Sequence, residues 1–198
     1  MLKKQITKKV KLKPKLETKA KKEKSIVLGN FLNERVIAEN SDSSRLLYDQ
    51  SRFGKILDNG KLQLSLVESL YLLEKEKLKI LDGRNKEISS EKFVKKVKKI
   101  QPNFMTRYYV FKDMRDRGYI VKTALKFGAD FRVYNRGIKP GEDHAKWILF
   151  PVHEASGFSW YEFSAKNRVA HSTKKRLLIG VVDDEGDVTY YEIRWLRP

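Results

Sequence analysis

Residues 119–134 read YIVKTALKFGADFRVY. Two runs rich in β-branched and aromatic residues, 119–125 and 129–134, flank Phe127-Gly128, so the stretch predicts a pair of strands joined by a tight connection. In the second run Phe131 and Val133 fall on one face, while Asp130, Arg132 and Tyr134 fall on the other. Tyr134 therefore stands on the polar face, at a strand end. A loop punctuated by Gly137, Pro140 and Gly141 follows it.

The prediction extends outward in both directions. Residues 147–152 form an apolar run suited to a strand buried on both faces. Residues 158–171 fit a helix, 177–182 a second buried strand, and 188–194 an alternating strand that ends the chain at a sheet edge. An acidic turn carrying Asp183, Asp184, Glu185 and Asp187 separates the last two. On the N-terminal side, 104–117 reads as a helix stopped by Gly118, and Pro102 marks a boundary. The segment 102–198 is thus expected to be a mixed central sheet flanked by helices.

A second, smaller α+β unit is expected over 25–101. Short strands are predicted at 26–28 and 35–37, and helices at 43–49, 65–78 and 90–100, with Gly54 and Asn59-Gly60 in a connecting loop. Residues 1–24 hold eleven lysines against Glu17 and Glu23, a net +9, and read as a basic flexible arm. Within that arm, 10–13 alternates and could add a short edge strand. The fold class is α+β, or mixed α/β, without internal repeats.

The whole chain carries +18 over 198 residues, so the part beyond the arm is also basic. A basic body favours a polyanionic partner, because neutralising phosphates releases condensed counterions. Cysteine is absent, which excludes disulfides, zinc ribbons and thiol nucleophiles. No apolar run approaches the ~20 residues of a membrane span, and no apolar stretch follows the basic N-terminus as in a secretory signal. These features predict a cytoplasmic protein with no membrane partner.

Chemistry-bearing residues are sparse. There is no phosphate loop, no Gly-x-Ser-x-Gly and no His-Glu-x-x-His. Taken singly, Tyr134 reads as strand-end packing, His144 as a solvated loop residue, and Lys175 as a charge guarding an apolar strand. Together they carry a resemblance. The stretch 119–134, followed by Asn135-Arg136-Gly137 and by KPGEDHAKW at 139–147, resembles the tRNA-intron endonuclease family of archaea. RVAHSTKKRLLIGVVDDEGDVTYYEIRW at 168–195 resembles its second block, and LLYDQSRFGK and LSLVESLYLLEKEKL at 46–55 and 64–78 its N-terminal domain. The arm at 1–24 lies outside the resemblance.

The resemblance implies a C-terminal nuclease domain over 102–198 that excises introns from precursor tRNA at a bulge-helix-bulge. It implies Tyr134 as general base, His144 as general acid and Lys175 as electrostatic stabiliser, with neither metal nor cofactor. Lys174 is the alternative register for the lysine, and His171 is read as structural. A tyrosine makes a workable base only in strongly positive surroundings, which the chain's charge could provide. Arg168 is implied as a residue that stacks on a bulged base, with Arg194 a weaker candidate for the same duty. The family also implies a homo-oligomer, or a heterotetramer with a second subunit, in which an acidic loop docks into a basic cleft. Three other readings stand beside this one. They are a non-catalytic RNA-binding subunit of the same complex, a metal-dependent nuclease using Asp130, Glu142 and Asp143, and a basic tRNA- or ribosome-associated protein.

Overall fold

The computed structural model describes residues 26–124, 128–138 and 140–196. The lysine-rich arm lies outside them, as do Leu125 and Phe127 of the expected strand pair. The first sheet holds β1 (Val27–Leu32), β2 (Arg35–Ala38), β3 (Lys55–Ile56), β4 (Leu62–Ser65) and β5 (Leu78–Leu81), in the order β3-β4-β2-β1-β5. Its pairs are antiparallel except β1 with β5. Helices α1 (Asp42–Ser51), α2 (Leu66–Glu74) and α3 (Ser90–Ile100) accompany it.

Two expectations for this half are corrected. The single helix predicted over 65–78 ends at Glu74, and Leu78 begins a strand. Glu76 takes a left-handed backbone, φ 54, and two bonds close the helix behind it: Lys77 N to Leu72 O at 2.9 Å and Glu76 N to Leu73 O at 3.1 Å. This is a Schellman stop built on a residue that is not glycine, so the usual composition cue is missing. From there Leu78 and Ile80 alternate inward, the period of a strand. The predicted loop around Asn59-Gly60 is likewise flanked by two short strands, with Leu62 and Leu64 buried on one face of β4.

The second sheet holds β6 (Ile120–Ala124), β7 (Ala129–Tyr134), β8 (Trp147–His153), β9 (Arg176–Val182) and β10 (Val188–Ile193), in the order β10-β9-β8-β7-β6. Only β8 and β9 run parallel, and α5 (Trp160–Ser172) is their crossover. Helix α4 (Phe104–Asp116) covers the opposite face, and Gly118, at φ 87, closes it as the sequence predicts. Trp147 and Leu149 join the apolar cluster under α4, while Ile148 and Phe150 join the one under α5. That alternation is why β8 reads as an unbroken apolar run. The larger cluster crosses the expected boundary near Pro102, from Val36 and Leu70 through Phe104 and Phe111 to Phe131. Among the described residues no helix is long and apolar enough to cross a membrane.

Candidate active site

Strand register brings the candidate residues together. Val133 of β7 pairs with Trp147 of β8, and Trp147 pairs with Arg176 of β9. The position just beyond these three partners is Tyr134 on β7, Lys146 before β8 and Lys175 before β9. The backbone stays knit there, with Lys146 N donating to Val133 O at 2.9 Å and Arg176 N to Lys146 O at 3.0 Å. His144 lies two residues further out on the loop. One open cleft of about 390 Å³ is lined by Arg132, Tyr134, His144 and Lys175, with Glu142 and Asp143 on its loop side.

Each side chain is held differently. Tyr134 is buried to 4% exposure, although its face of β7 is otherwise polar, because it forms part of the cleft wall. His144 is exposed, and its backbone N–H donates to the Asp143 carboxylate at 2.6 Å, which fixes the loop rather than the imidazole. Lys175 is half-buried and donates from Nζ to Thr173 O at 2.8 Å. Burial, and then the guanidinium of Arg132, hold the Lys175 ammonium below the ordinary lysine range.

The end of α5 separates the two lysines. Lys175 N donates to Ala170 O at 2.8 Å and Lys174 N to His171 O at 3.0 Å, a Schellman pair with Lys174 in the left-handed position at φ 55. Lys174 lines a second hollow with His171, Arg194 and Trp195, and Lys175 lines both hollows. In the second hollow His171 stacks on Trp195 with ring centroids 5.0 Å apart. Arg194 donates from Nε to Glu192 at 2.9 Å. Arg168 is exposed on α5, two positions from the sheet-facing Ala170, and is not brought to either hollow.

The carboxylates weighed as metal ligands do not assemble. Asp130 pairs with Arg107 of α4 at 2.7 Å, while Glu142 and Asp143 lie on the loop of the cleft. Among the described residues, no three His, Asp or Glu side chains are grouped as metal ligands. Arg132 was not a candidate on sequence, although the alternation of 130–134 already placed it on the face of Tyr134. Its guanidinium lies 5.9 Å from the Tyr134 ring.

A family model described as the tRNA intron endonuclease catalytic C-terminal domain matches residues 104–190, and its N-terminal counterpart matches 27–94. The tRNA-splicing endonuclease of Thermococcus onnurineus is 44% identical over 164 residues, covering 83% of this chain and 93% of that protein. That of Nanoarchaeum equitans is 44% identical over 142 residues, 69% of this chain and 90% of that protein. That of Methanothermobacter thermautotrophicus is 39% identical over 172 residues, 87% and 99% respectively.

Proposed function

The chain belongs to the tRNA intron endonuclease family, and on that premise we propose that it excises introns from precursor tRNA by metal-independent cleavage at a bulge-helix-bulge. The observation that carries the proposal is the meeting of Tyr134, His144 and Lys175 in one open cleft at the end of the second sheet. Tyr134, as phenolate, takes the proton of the ribose 2′-OH. The freed oxygen attacks the adjacent phosphorus and the O2′–P bond forms. The P–O5′ bond breaks, and His144, as imidazolium, gives its proton to the departing 5′-oxygen. Lys175 stabilises charge that builds on the non-bridging oxygens. The products are a 2′,3′-cyclic phosphate and a 5′-hydroxyl, and Arg168 and Arg194 contact the RNA.

The working form is an oligomer, of identical chains or with a second subunit. A cleft of about 530 Å³ between the two sheets supports this reading: Arg35, Arg52, Lys55, Lys122 and Arg132 line it, against Glu34 and Glu68. Its sign complements the acidic turn between β9 and β10 of another subunit.

The test is single-turnover cleavage of an end-labelled intron-containing precursor in excess chelator, with analysis of both new termini. Cyclic phosphate and 5′-hydroxyl ends, lost in His144→Ala, are expected. Binding without cleavage would return the chain to the non-catalytic subunit class, and abolition by chelator to the metal-dependent class.

A further inference from the structure

We propose that Arg132 is a fourth member of the reaction site, holding a non-bridging oxygen of the scissile phosphate beside Lys175; this rests on the reading of the cleft given above. Arg132 sits on the same face of β7 as Tyr134, two residues earlier, and lines the cleft that contains Tyr134, His144 and Lys175. Its Nε is buried and, among the described residues, has no hydrogen-bond partner. Its guanidinium lies 5.9 Å from the Tyr134 ring centroid. A buried guanidinium N–H without an acceptor is costly, and buried polar groups are ordinarily satisfied. Nε itself is closed to solvent, so the oxygens of a ligand in the open cleft would meet the terminal nitrogens of the guanidinium.

Charge argues the same way. The field of Arg132 disfavours the charged form of Lys175, so the two cations repel each other across the cleft. A phosphate between them turns that repulsion into attraction on both sides. The gain grows as negative charge accumulates on the non-bridging oxygens in the transition state. Arginine suits the position, because its planar fork can meet phosphate oxygens while a lysine offers a single point of charge. β7 carries Arg132 and pairs with both neighbouring strands, so the group is presented from the frame rather than from a loop.

Arg132 also lines the basic cleft between the sheets, so a role in subunit docking is the competing account. Arg132→Gln and Arg132→Lys separate the two. The wild type should be slowed by sulfur placed, one position at a time, at the two non-bridging oxygens of the scissile phosphate. In Arg132→Gln the single-turnover rate should fall about a hundredfold, as on loss of one oxyanion donor. RNA affinity should stay within a few-fold, sedimentation unchanged, and the sulfur effect at one of the two positions should vanish. Arg132→Lys should recover part of the rate, and it carries the same sulfur comparison should the Gln variant fail to fold. Wild-type cleavage rates in both variants, an intact sulfur effect, or a shift to smaller assemblies would each overturn the assignment. A wild type that does not cleave precursor tRNA at all defeats the underlying function instead.

Discussion

Lys174 and Lys175 are neighbours in the chain with different work. Lys174 occupies the left-handed position that ends α5, whereas Lys175 enters the cleft shared by Tyr134 and His144. Replacing Lys175 or His144 by alanine is expected to abolish cleavage while filter binding of precursor tRNA stays nearly intact, since the proposed reaction uses both in the transition state. Lys174→Gly removes the Cβ that makes φ 55 unfavourable. It should keep full cleavage and raise stability by on the order of 1 kcal/mol in denaturant melts. If Lys174→Gly is the inactive variant, the assignment of the lysine is off by one.

The difficulty of choosing between these lysines on sequence has a physical origin. A Schellman stop is signalled by glycine, as Gly118 signals the end of α4. At Lys174 and at Glu76 the fold imposes the same backbone on charged residues, and nothing in the composition marks it. The same blindness extended α2 over the start of β5. The second sheet was legible because its strands are long and alternate, and because β8 is apolar on both faces. β3, of two residues, and β4, which runs directly into α2, carry too little pattern to be seen. Arg132 was visible as a neighbour of Tyr134, but its place in the wall of the cleft and the burial of its Nε depend on packing and could not be read from spacing.

The Lys175 ammonium also sets an expectation for pH. Its pKa lies below that of an ordinary lysine, first through burial and then through Arg132, so the charged form is lost at a lower pH than usual. Tyr134, His144, Glu142 and Asp143 share the cleft with it. The alkaline fall in single-turnover rate should therefore come early. In Arg132→Gln, with one of the two causes gone, the residual activity should persist to higher pH. An alkaline limb that stays in place on this substitution would show that another group controls it.

Glu68 joins the two halves of the fold. It is buried, it accepts from Gly54 N at 2.8 Å and from Ser65 N at 2.9 Å, and Lys122 of β6 lies 3.9 Å away. Glu68→Ala leaves two backbone donors and a largely buried ammonium poorly matched, so a loss of about 3 kcal/mol is expected in urea unfolding. Glu68→Gln should lose less, because it can keep one acceptor. Equal, small losses in both would mean that the loop around Gly54 rearranges at little cost.

Deleting residues 1–24 removes +9 of charge. RNA affinity should weaken, and the slope of its logarithm against log salt should become shallower, because fewer counterions are released on binding. The cleavage position should not move. A displaced cut, mapped on a sequencing gel, would assign the arm a part in positioning the substrate.

The acidic turn between β9 and β10 contains two kinds of carboxylate. Asp183 is committed to the turn itself, accepting from Glu185 N at 3.0 Å and from Asp187 N at 2.8 Å. Gly186, at φ 91, lies against the Tyr109 ring, where an added Cβ would come within 3.0 Å. The turn is thus anchored to α4 and presents a fixed shape. Asp184, Glu185 and Asp187 face outward, with Asp184 88% exposed and 3.3 Å from His153 Nε2. A turn that needed only to reverse the chain would not require three exposed carboxylates in so basic a protein. β10 beside it is the edge strand of its sheet, and its backbone can still pair with a second copy. In the proposed oligomer, assembly through both features should be salt-sensitive, because the turn would contribute by charge complementarity with a basic cleft on an opposing subunit. Reversing Asp184 and Asp187 to lysine should shift sedimentation toward smaller species and lower the cleavage rate, although neither residue lines the cleft with Tyr134. Asp183→Asn separates turn integrity from docking, since it retains an acceptor for both backbone N–H groups and leaves the exposed charges in place. It should assemble like the parent. If the lysine double variant also sediments and cleaves like the parent, the carboxylates are only solvated turn residues, and the proposed docking of the turn fails.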